Sequence, residues 1–515
     1  MPVHPTLPSD IYERFHALIL ERSGLYFPEK RRLDLERGLQ EAMARSGCDD
    51  PLAYFRLLQE SPTSGPLWEQ LIAQVTVGET YFFRDRGQFE ALRQHVLPEI
   101  IARRRPSRQM RIWSAGCSSG EEPYSIAILL WELLPDLDDW NITLLATDIN
   151  REALERARAG RYGNWSFREE GWEPLRARYF TRRGKEWEIA DRVRRMVTWN
   201  YLNLVEDVYP SLANNTVAFD LILCRNVTMY FTLELVQQVI ARLHEALVEG
   251  GWLVVGASEL SPTTYSRFQA RTFPGAVLYQ KAGRPARDDL SWLDAVEKAA
   301  PAAPLSFSPA RSSLPSAPER EEKVPPGAAL EGDRVPAADP CAEALAAMER
   351  GQLQEALERL HRLLESDPRC AQGYLLVGRI RANAGMWEEA RRWCQKALEI
   401  DPLLAEAHFL LGLIHSQEGC LEEALAAMKR AVYLDRNAAL GHFFLAQFYR
   451  EQGQMARARK SLENAAHLLE GLPPETPIPW SDGMTAGRLL LAVQRQIGEI
   501  ESRPRPRPAQ ETLVS

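Results

Sequence analysis

No apolar run in the sequence approaches the roughly 20 residues that a membrane-spanning helix needs. Met1 to Ile11 lacks a basic segment followed by an apolar core, so no secretion signal is expected and the cytoplasm is the expected compartment. Cysteines are few and scattered: Cys48, Cys117, Cys224, Cys341, Cys370, Cys394 and Cys420 are odd in number and include no Cys-x-x-Cys, which supports neither a disulfide framework nor a zinc site. Excess positive charge is missing too. A formal net charge of -8 argues against general nucleic-acid binding, because neutralising phosphates takes a basic face. Two phosphate-binding signatures are also absent, Gly-x-Gly-x-x-Gly and Gly-Lys-Ser/Thr. What remains is a globular composition, 45% apolar and 26% charged, over 515 residues, enough for two or three domains.

The most informative stretch runs from Arg111 to Tyr124, Arg-Ile-Trp-Ser-Ala-Gly-Cys-Ser-Ser-Gly-Glu-Glu-Pro-Tyr, and continues into the apolar run Ser125 to Trp131. It reads as a strand, a tight turn and a helix whose first amides face outward, a geometry that cradles ligands. Gly116 and Gly120 allow close backbone approach. Glu121 and Glu122 would repel a pyrophosphate but suit an ammonium group or ribose hydroxyls. The plainer reading is a helix with acids in its first turn.

Residues from Leu7 to Gln74 carry helical periodicity, with Lys30, Arg31, Arg32, Arg37 and Arg45 forming either a solvated face or a patch for an acidic partner. Thr76 to Arg84 leaves that pattern; Phe82 and Phe83 fit a segment over a pocket or plain core, and a buried Arg84 would want a carboxylate or ligand. Ile142 to Ile149 is a short strand ending in Asp148, placed either to accept ribose hydroxyls or to cap the helix from Arg151. Lys185 to Ile189 and Val193 to Trp199 are expected strands of a small antiparallel insertion within about 160–200. Core strands follow at Phe219 to Cys224, Trp252 to Gly256 and Ala276 to Tyr279, with a helix from Leu233 to Val248. This alternation predicts a Rossmann-like, doubly wound α/β domain over 76–282 behind an N-terminal helical domain over 1–75, with a ligand where Gly116, Asp148, Asn203 and Asn226 converge.

Thr80-Tyr-Phe-Phe-Arg84, Trp113 to Ser125, Ala146-Thr-Asp-Ile149, Asn203-Leu204, Cys224-Arg-Asn-Val227 with Tyr230-Phe231, and Ser258-Glu259 together resemble the CheR-type chemoreceptor methyltransferases, over roughly residues 8 to 281. The resemblance implies methyl transfer from S-adenosylmethionine to receptor glutamates. It implies that Thr80 and Arg84 contact the cofactor or its surroundings, that Glu122, ahead of Glu121 as a candidate, meets its methionyl end, and that Asp148 holds the ribose. Asn203, Leu204, Arg225 and Asn226 would line the pocket, with Arg84 and Tyr230 as catalytic residues and Arg31, Arg32 and Arg37 docking the receptor helices. Gly78, counted with the cofactor-binding residues, stands where the family usually has asparagine; Thr228-Met229 and Ala257 also depart from its pattern. The segment from Phe180 to Trp199 is short for gripping a receptor C-terminal peptide, as some members do.

Gly283 to Pro340 shifts to proline, alanine and serine, the composition of a disordered tether over 283–339. Beyond it, Gly351, Gly385, Gly419 and Gly453 recur every 34 residues, as do Ala356, Ala390, Ala424 and Ala458, and Asp367-Pro368 returns as Asp401-Pro402. That is the tetratricopeptide period. An all-α repeat domain over 340–470 is expected, offering a groove to an unidentified protein or peptide, with a capping helix from Thr485 to Ile500 and a tail within 471–515. The reading is a receptor-glutamate methyltransferase using S-adenosylmethionine, with no nucleic acid, metal or membrane span. The alternative is an S-adenosylmethionine-binding signalling scaffold with little turnover.

Overall fold

The computed structural model describes residues 7–282 and 339–501, apart from the single positions 64, 170, 262 and 351. Almost all of the expected tether, and the proline-rich tail from Arg503, lie outside the described residues.

The chain begins with four helices, Ser9–Ser23, Arg32–Ser46, Pro51–Glu60 and Pro66–Val75. Their periodic apolar residues meet in one cluster that includes Phe15, Leu35, Leu39, Tyr54 and Trp68. Asp50 starts the third helix by accepting from the Leu52 and Ala53 N–H groups, with Pro51 at its first turn, where the missing N–H costs nothing.

Seven strands form the main sheet: β1 (Gln109–Ala115), β2 (Asn141–Asp148), β6 (Val197–Tyr201), β7 (Phe219–Cys224), β8 (Leu247–Val255), β9 (Phe268–Phe273) and β10 (Ala276–Lys281). Their order is β6-β2-β1-β7-β8-β10-β9. The first five in that order run parallel, and β10 and β9 are antiparallel. Side chains alternate between two apolar clusters: Ile112, Leu144, Leu221 and Val254 enter one, and Trp113, Leu145, Ile222 and Leu253 the other. Strands buried on both faces read as continuous apolar runs, which is why β7 is buried at every position.

Two expectations change here. Val193 to Trp199 does not join the small insertion. Its strand, β6, pairs in parallel with β2 at the edge of the main sheet. The insertion is instead β3 (Arg161–Tyr162), β4 (Phe180–Arg183) and β5 (Glu186–Ile189), in the order β3-β5-β4. The other change is an added strand: β9, absent from the sequence reading, pairs antiparallel with β10 and forms the sheet's edge.

The 34-residue units are helix pairs: Pro340–Glu349 with Leu353–Ser366, Ala371–Asn383 with Trp387–Ile400, Ala405–Gln417 with Leu421–Leu434, and Ala439–Glu451 with Met455–Glu470. A Cβ at Gly412 would lie 3.0 Å from Met428 Cε and 3.3 Å from the Ala424 carbonyl, so the repeated small residue is what lets paired helices cross closely. Helix Ala486–Glu501 closes the stack.

The repeats pack onto the sheet domain. Leu212, Val217 and Ala218, between β6 and β7, share an apolar cluster with the repeat helices. Asn383 accepts from the Leu212 N–H at 3.2 Å, and the buried Arg111 guanidinium reaches both Asn215 and Gln417. The connector from the last repeat to the closing helix also folds back. Trp480 packs against Phe409, with ring centroids 5.2 Å apart and the rings tilted by 38°, and Asp482 pairs with Arg379 and accepts from the Ser211 hydroxyl at 2.5 Å.

Candidate functional site

A cleft opens at the carboxyl ends of β1, β2 and β7, where the chain leaves β1 towards β2 on one side and β7 lies on the other. Such a switch point in an open α/β sheet is where ligands bind. Its roof comes from segments between and after the N-terminal helices: Leu25, Tyr26 and Phe27 line it, as do residues from Val75 to Thr80. Nothing in the residue pattern signalled that contribution from Leu25 to Phe27, which fall within a region read as helical but form the loop after the first helix.

The turn after β1 has the geometry its glycines suggest. Gly116 has φ +82°, and a Cβ there would lie 2.3 Å from Val227 Cγ2. Gly120 has φ +93° and precedes helix Glu121–Leu133. The two adjacent acids at the start of that helix part company. Glu122 lines the cleft, accepting from Ser114 Oγ at 2.7 Å and from Arg225 Nη1 at 3.1 Å. Glu121, about 100° further round the helix, does not line it. Its carboxylate is buried and accepts from Ser119 Oγ and from Ser166 Oγ of the insertion, and burial raises its pKa. The expectation of a cofactor contact at Glu121 is therefore replaced by a strut between turn and insertion.

Asp148 ends β2 inside the cleft. One oxygen accepts from the Ser118 N–H at 2.7 Å and the other from the Asn150 N–H at 2.8 Å. Burial raises its pKa, and those two amides act against the rise. The cap of the next helix is Asn150, which accepts from the Ala153 N–H, so Asp148 is not the cap.

Asn203 and Leu204 form the wall beyond β6. Asn203 spends its side chain inside the protein: Nδ2 donates to the Arg22 carbonyl at 2.9 Å and Oδ1 accepts from the Val205 N–H at 3.1 Å. Opposite, Asn226 has φ +58°, and Glu259 fixes its loop by accepting from the Asn226, Val227 and Met229 N–H groups and from Thr228 Oγ1. Glu259 belongs to a quoted motif, but its role as the loop's anchor was not foreseen. Gln88 was missed altogether; it accepts from Arg225 Nε at 2.7 Å and donates to the Val255 carbonyl at 2.8 Å.

At the mouth stand Thr80, Arg84 and Tyr230, all lining the cleft. Arg84 lies between two residues held at positive φ, Phe83 at +56° and Asp85 at +69°, a strained backbone for non-glycine residues. Its Nη1 donates to the Glu79 carbonyl at 2.7 Å, and among the described residues no carboxylate pairs with it. Phe82 and Phe83 are core. Burial raises the Tyr230 pKa, against the nearby charges of Arg31 and Arg84. Arg31 lies 5.1 Å from the Tyr230 ring centroid. Arg37 is exposed. Arg32 is turned inward, bonded to Glu36 at 2.9 Å and to the Leu7 carbonyl at 3.2 Å, so it is placed to brace the helices rather than to dock a partner. At Gly78 an added Cβ would touch only Ser118 Oγ, at 3.6 Å, so crowding does not explain the missing side chain.

The donor set fits a ligand with vicinal hydroxyls and a cationic end. Asp148 and Glu122 bring carboxylates into a cleft that Glu79, Thr80, Arg84, Asn226 and Tyr230 also line, together with apolar groups such as Leu202, Leu204 and Phe231.

Residues 78–275 match the CheR methyltransferase SAM-binding domain, and residues 10–76 the CheR methyltransferase all-alpha domain. Residues 341–405 and 393–426 match tetratricopeptide repeats. Among curated relatives, a probable chemotaxis protein methyltransferase of Rhizobium etli is 34% identical over 246 residues, which are 47% of this chain and 89% of the relative. Chemotaxis protein methyltransferase Cher2 of Pseudomonas putida is 31% identical over 52% of this chain and 97% of its own length. Chemotaxis protein methyltransferase 1 of Pseudomonas aeruginosa is 32% identical over the same shares. With both CheR domains matched in order and these relatives covered almost end to end, the chain belongs to the CheR family of chemotaxis protein methyltransferases, enzymes that use S-adenosylmethionine, and carries tetratricopeptide repeats behind the catalytic region.

Proposed function

We propose that this chain methylates glutamate side chains on the cytoplasmic helices of chemoreceptors. The observation that carries the reading is the contrast between the two arginines of the cleft. The Arg225 charge is neutralised by Glu122, whereas Arg84, at the mouth, forms no ion pair with a carboxylate among the described residues. A cation left unpaired at a cleft mouth is suited to an acidic group arriving from outside.

When bound, S-adenosylmethionine supplies a sulfonium methyl that an ionised carboxylate can accept directly. A glutamate has a pKa of about 4.3 and is ionised at neutral pH, so no general base is required. What is asked of the chain is placement. Asp148, with Ser118 and the Gly116 turn, holds the ribose end. Glu122, fixed by Ser114 and Arg225, takes the cationic amino-acid end, and Leu204 with its neighbours encloses the adenine. Arg84 draws in and orients the substrate carboxylate. Tyr230, packed between Arg31 and the N-terminal helices, shapes the wall beside it. Arg37 offers exposed positive charge to an acidic receptor helix, with Arg31, paired to Asp34 at 3.1 Å, beside the cleft mouth, and no helix among the described residues is long and apolar enough to cross a membrane. The repeats serve interaction with a protein partner.

The test is transfer of labelled methyl groups into receptor cytoplasmic fragments, with matched fragments in which the candidate glutamates are replaced by alanine. Label that depends on those glutamates and drops with Arg84→Ala supports the reading. Cofactor binding with no labelling of any receptor fragment would favour a signalling scaffold instead.

A further inference from the structure

We infer that Arg488, on the helix that closes the repeat stack, is a positioning residue for the cofactor pocket. This rests on the assignment of Asn203 and Leu204 to that pocket.

The wall segment is a closed turn. The Asn203 N–H donates to Asp207 Oδ2 at 2.6 Å, and the Asp207 N–H returns a bond to the Asn203 carbonyl at 2.9 Å. Asn203 Nδ2 also reaches Glu206 Oε2 at 3.3 Å. Two adjacent carboxylates thus grip one residue of the cleft wall. They would repel each other without a shared cation, and Arg488 is that cation, paired with Asp207 and lying 2.7 Å from Glu206 Oε1. Both Arg488 and Asp207 are largely shielded from solvent, with side-chain exposures of 18% and 15%. Burial raises the Asp207 pKa, and the Arg488 charge is the first influence opposing it. Removing the guanidinium would leave the shielded Asp207 carboxylate without its ion-pair partner and next to Glu206, which is 36% exposed, and the turn would open or take up a proton.

Arg488 lies outside the residues matched to the CheR domains. The pocket of this chain is therefore braced by a group from its repeat region. The same helix makes a second ion pair, Arg495 with Glu155 at 2.8 Å, which touches neither the turn nor the cleft. That pair separates a positioning role from general adhesion of the helix.

The experiment measures S-adenosylmethionine affinity calorimetrically on the full chain, with amide exchange over residues 202–207. Arg488→Ala is expected to weaken binding about tenfold, the scale of a lost charged hydrogen bond, and to speed exchange in the turn. Arg488→Lys should recover most of the affinity, and Arg495→Ala should stay within about twofold of wild type, since exposed pairs contribute little. Wild-type affinity in Arg488→Ala, or an equal loss in Arg495→Ala, overturns the proposal. Should Arg488→Ala not fold, Asp207→Asn keeps the turn's shape while weakening the arginine's hold; weakened binding supports the role and unchanged binding refutes it. Asp148→Asn runs alongside: if it too binds as wild type, the pocket assignment itself has failed.

Discussion

Arg225 and Glu122 form an ion pair of 3.1 Å with side-chain exposures of only 3% and 11%, and the pair is tied at both ends, to Gln88 and to Ser114. A buried pair so constrained is costly to break from one side, because the remaining charge has no water to turn to. Glu122→Ala is expected to destabilise the catalytic region by about 3–5 kcal/mol and to abolish measurable cofactor binding. Chemical denaturation and calorimetry on the same protein check both.

Arg84 predicts a different pattern. Its partner within the protein is a backbone carbonyl, so its loss leaves no buried charge behind. Arg84→Ala should leave the melting temperature within a few degrees of wild type, while methyl transfer to a receptor fragment at saturating cofactor falls about 100-fold. Unchanged transfer would remove Arg84 from the reaction.

The raised pKa of Asp148 sets two opposite pH dependences. The folded state holds this proton more tightly than the unfolded chain does, so the residue's contribution to stability falls as the pH rises from about 3.9 through its raised folded value. Cofactor affinity moves the other way. In the proposed ribose contact only the ionised form accepts from both hydroxyls, so binding is expected to weaken as the pH falls through that same raised value. Asp148→Asn should flatten this part of the calorimetric pH profile.

The N-terminal arginines should separate by role. Arg32 braces the helices through Glu36 and stacks over Tyr12, 4.4 Å from the ring centroid, so Arg32→Ala should lower thermal stability. Arg37→Glu should instead raise the KM for a receptor fragment several-fold and leave cofactor affinity unchanged. Reversal of these outcomes would move the docking face elsewhere.

How far the residues announced this arrangement depends on the range of the forces involved. The β1 turn, the strand ending in Asp148 and the 34-residue repeats were legible because each is a local pattern: small residues at a tight turn, apolar runs, a fixed period. Whether Asp148 capped its helix stayed open until Asn150 was seen to do so. Glu122 was favoured over Glu121 only through the family resemblance, since one step along a helix turns a side chain by about 100°, and the packing of the insertion shows which faces the cleft. The place of β6 was misread for a similar reason. Its alternation fits either sheet, and pairing with β2 is a long-range choice. Arg488 was invisible for the same cause, being separated from Asp207 by the whole repeat stack.

The connector carrying Trp480 and Asp482 lies against the first helices of the second and third repeats, through Arg379 and Phe409. A peptide that seeks this surface competes with a ligand covalently attached to it. An attached segment acts at an effective concentration on the order of millimolar, so a free peptide in the micromolar range will register as a non-binder unless it outmatches that tether. Partner searches with the connector residues Trp480 and Asp482 replaced by alanine would lower this competition, and ligands hidden from the wild-type chain would then become detectable.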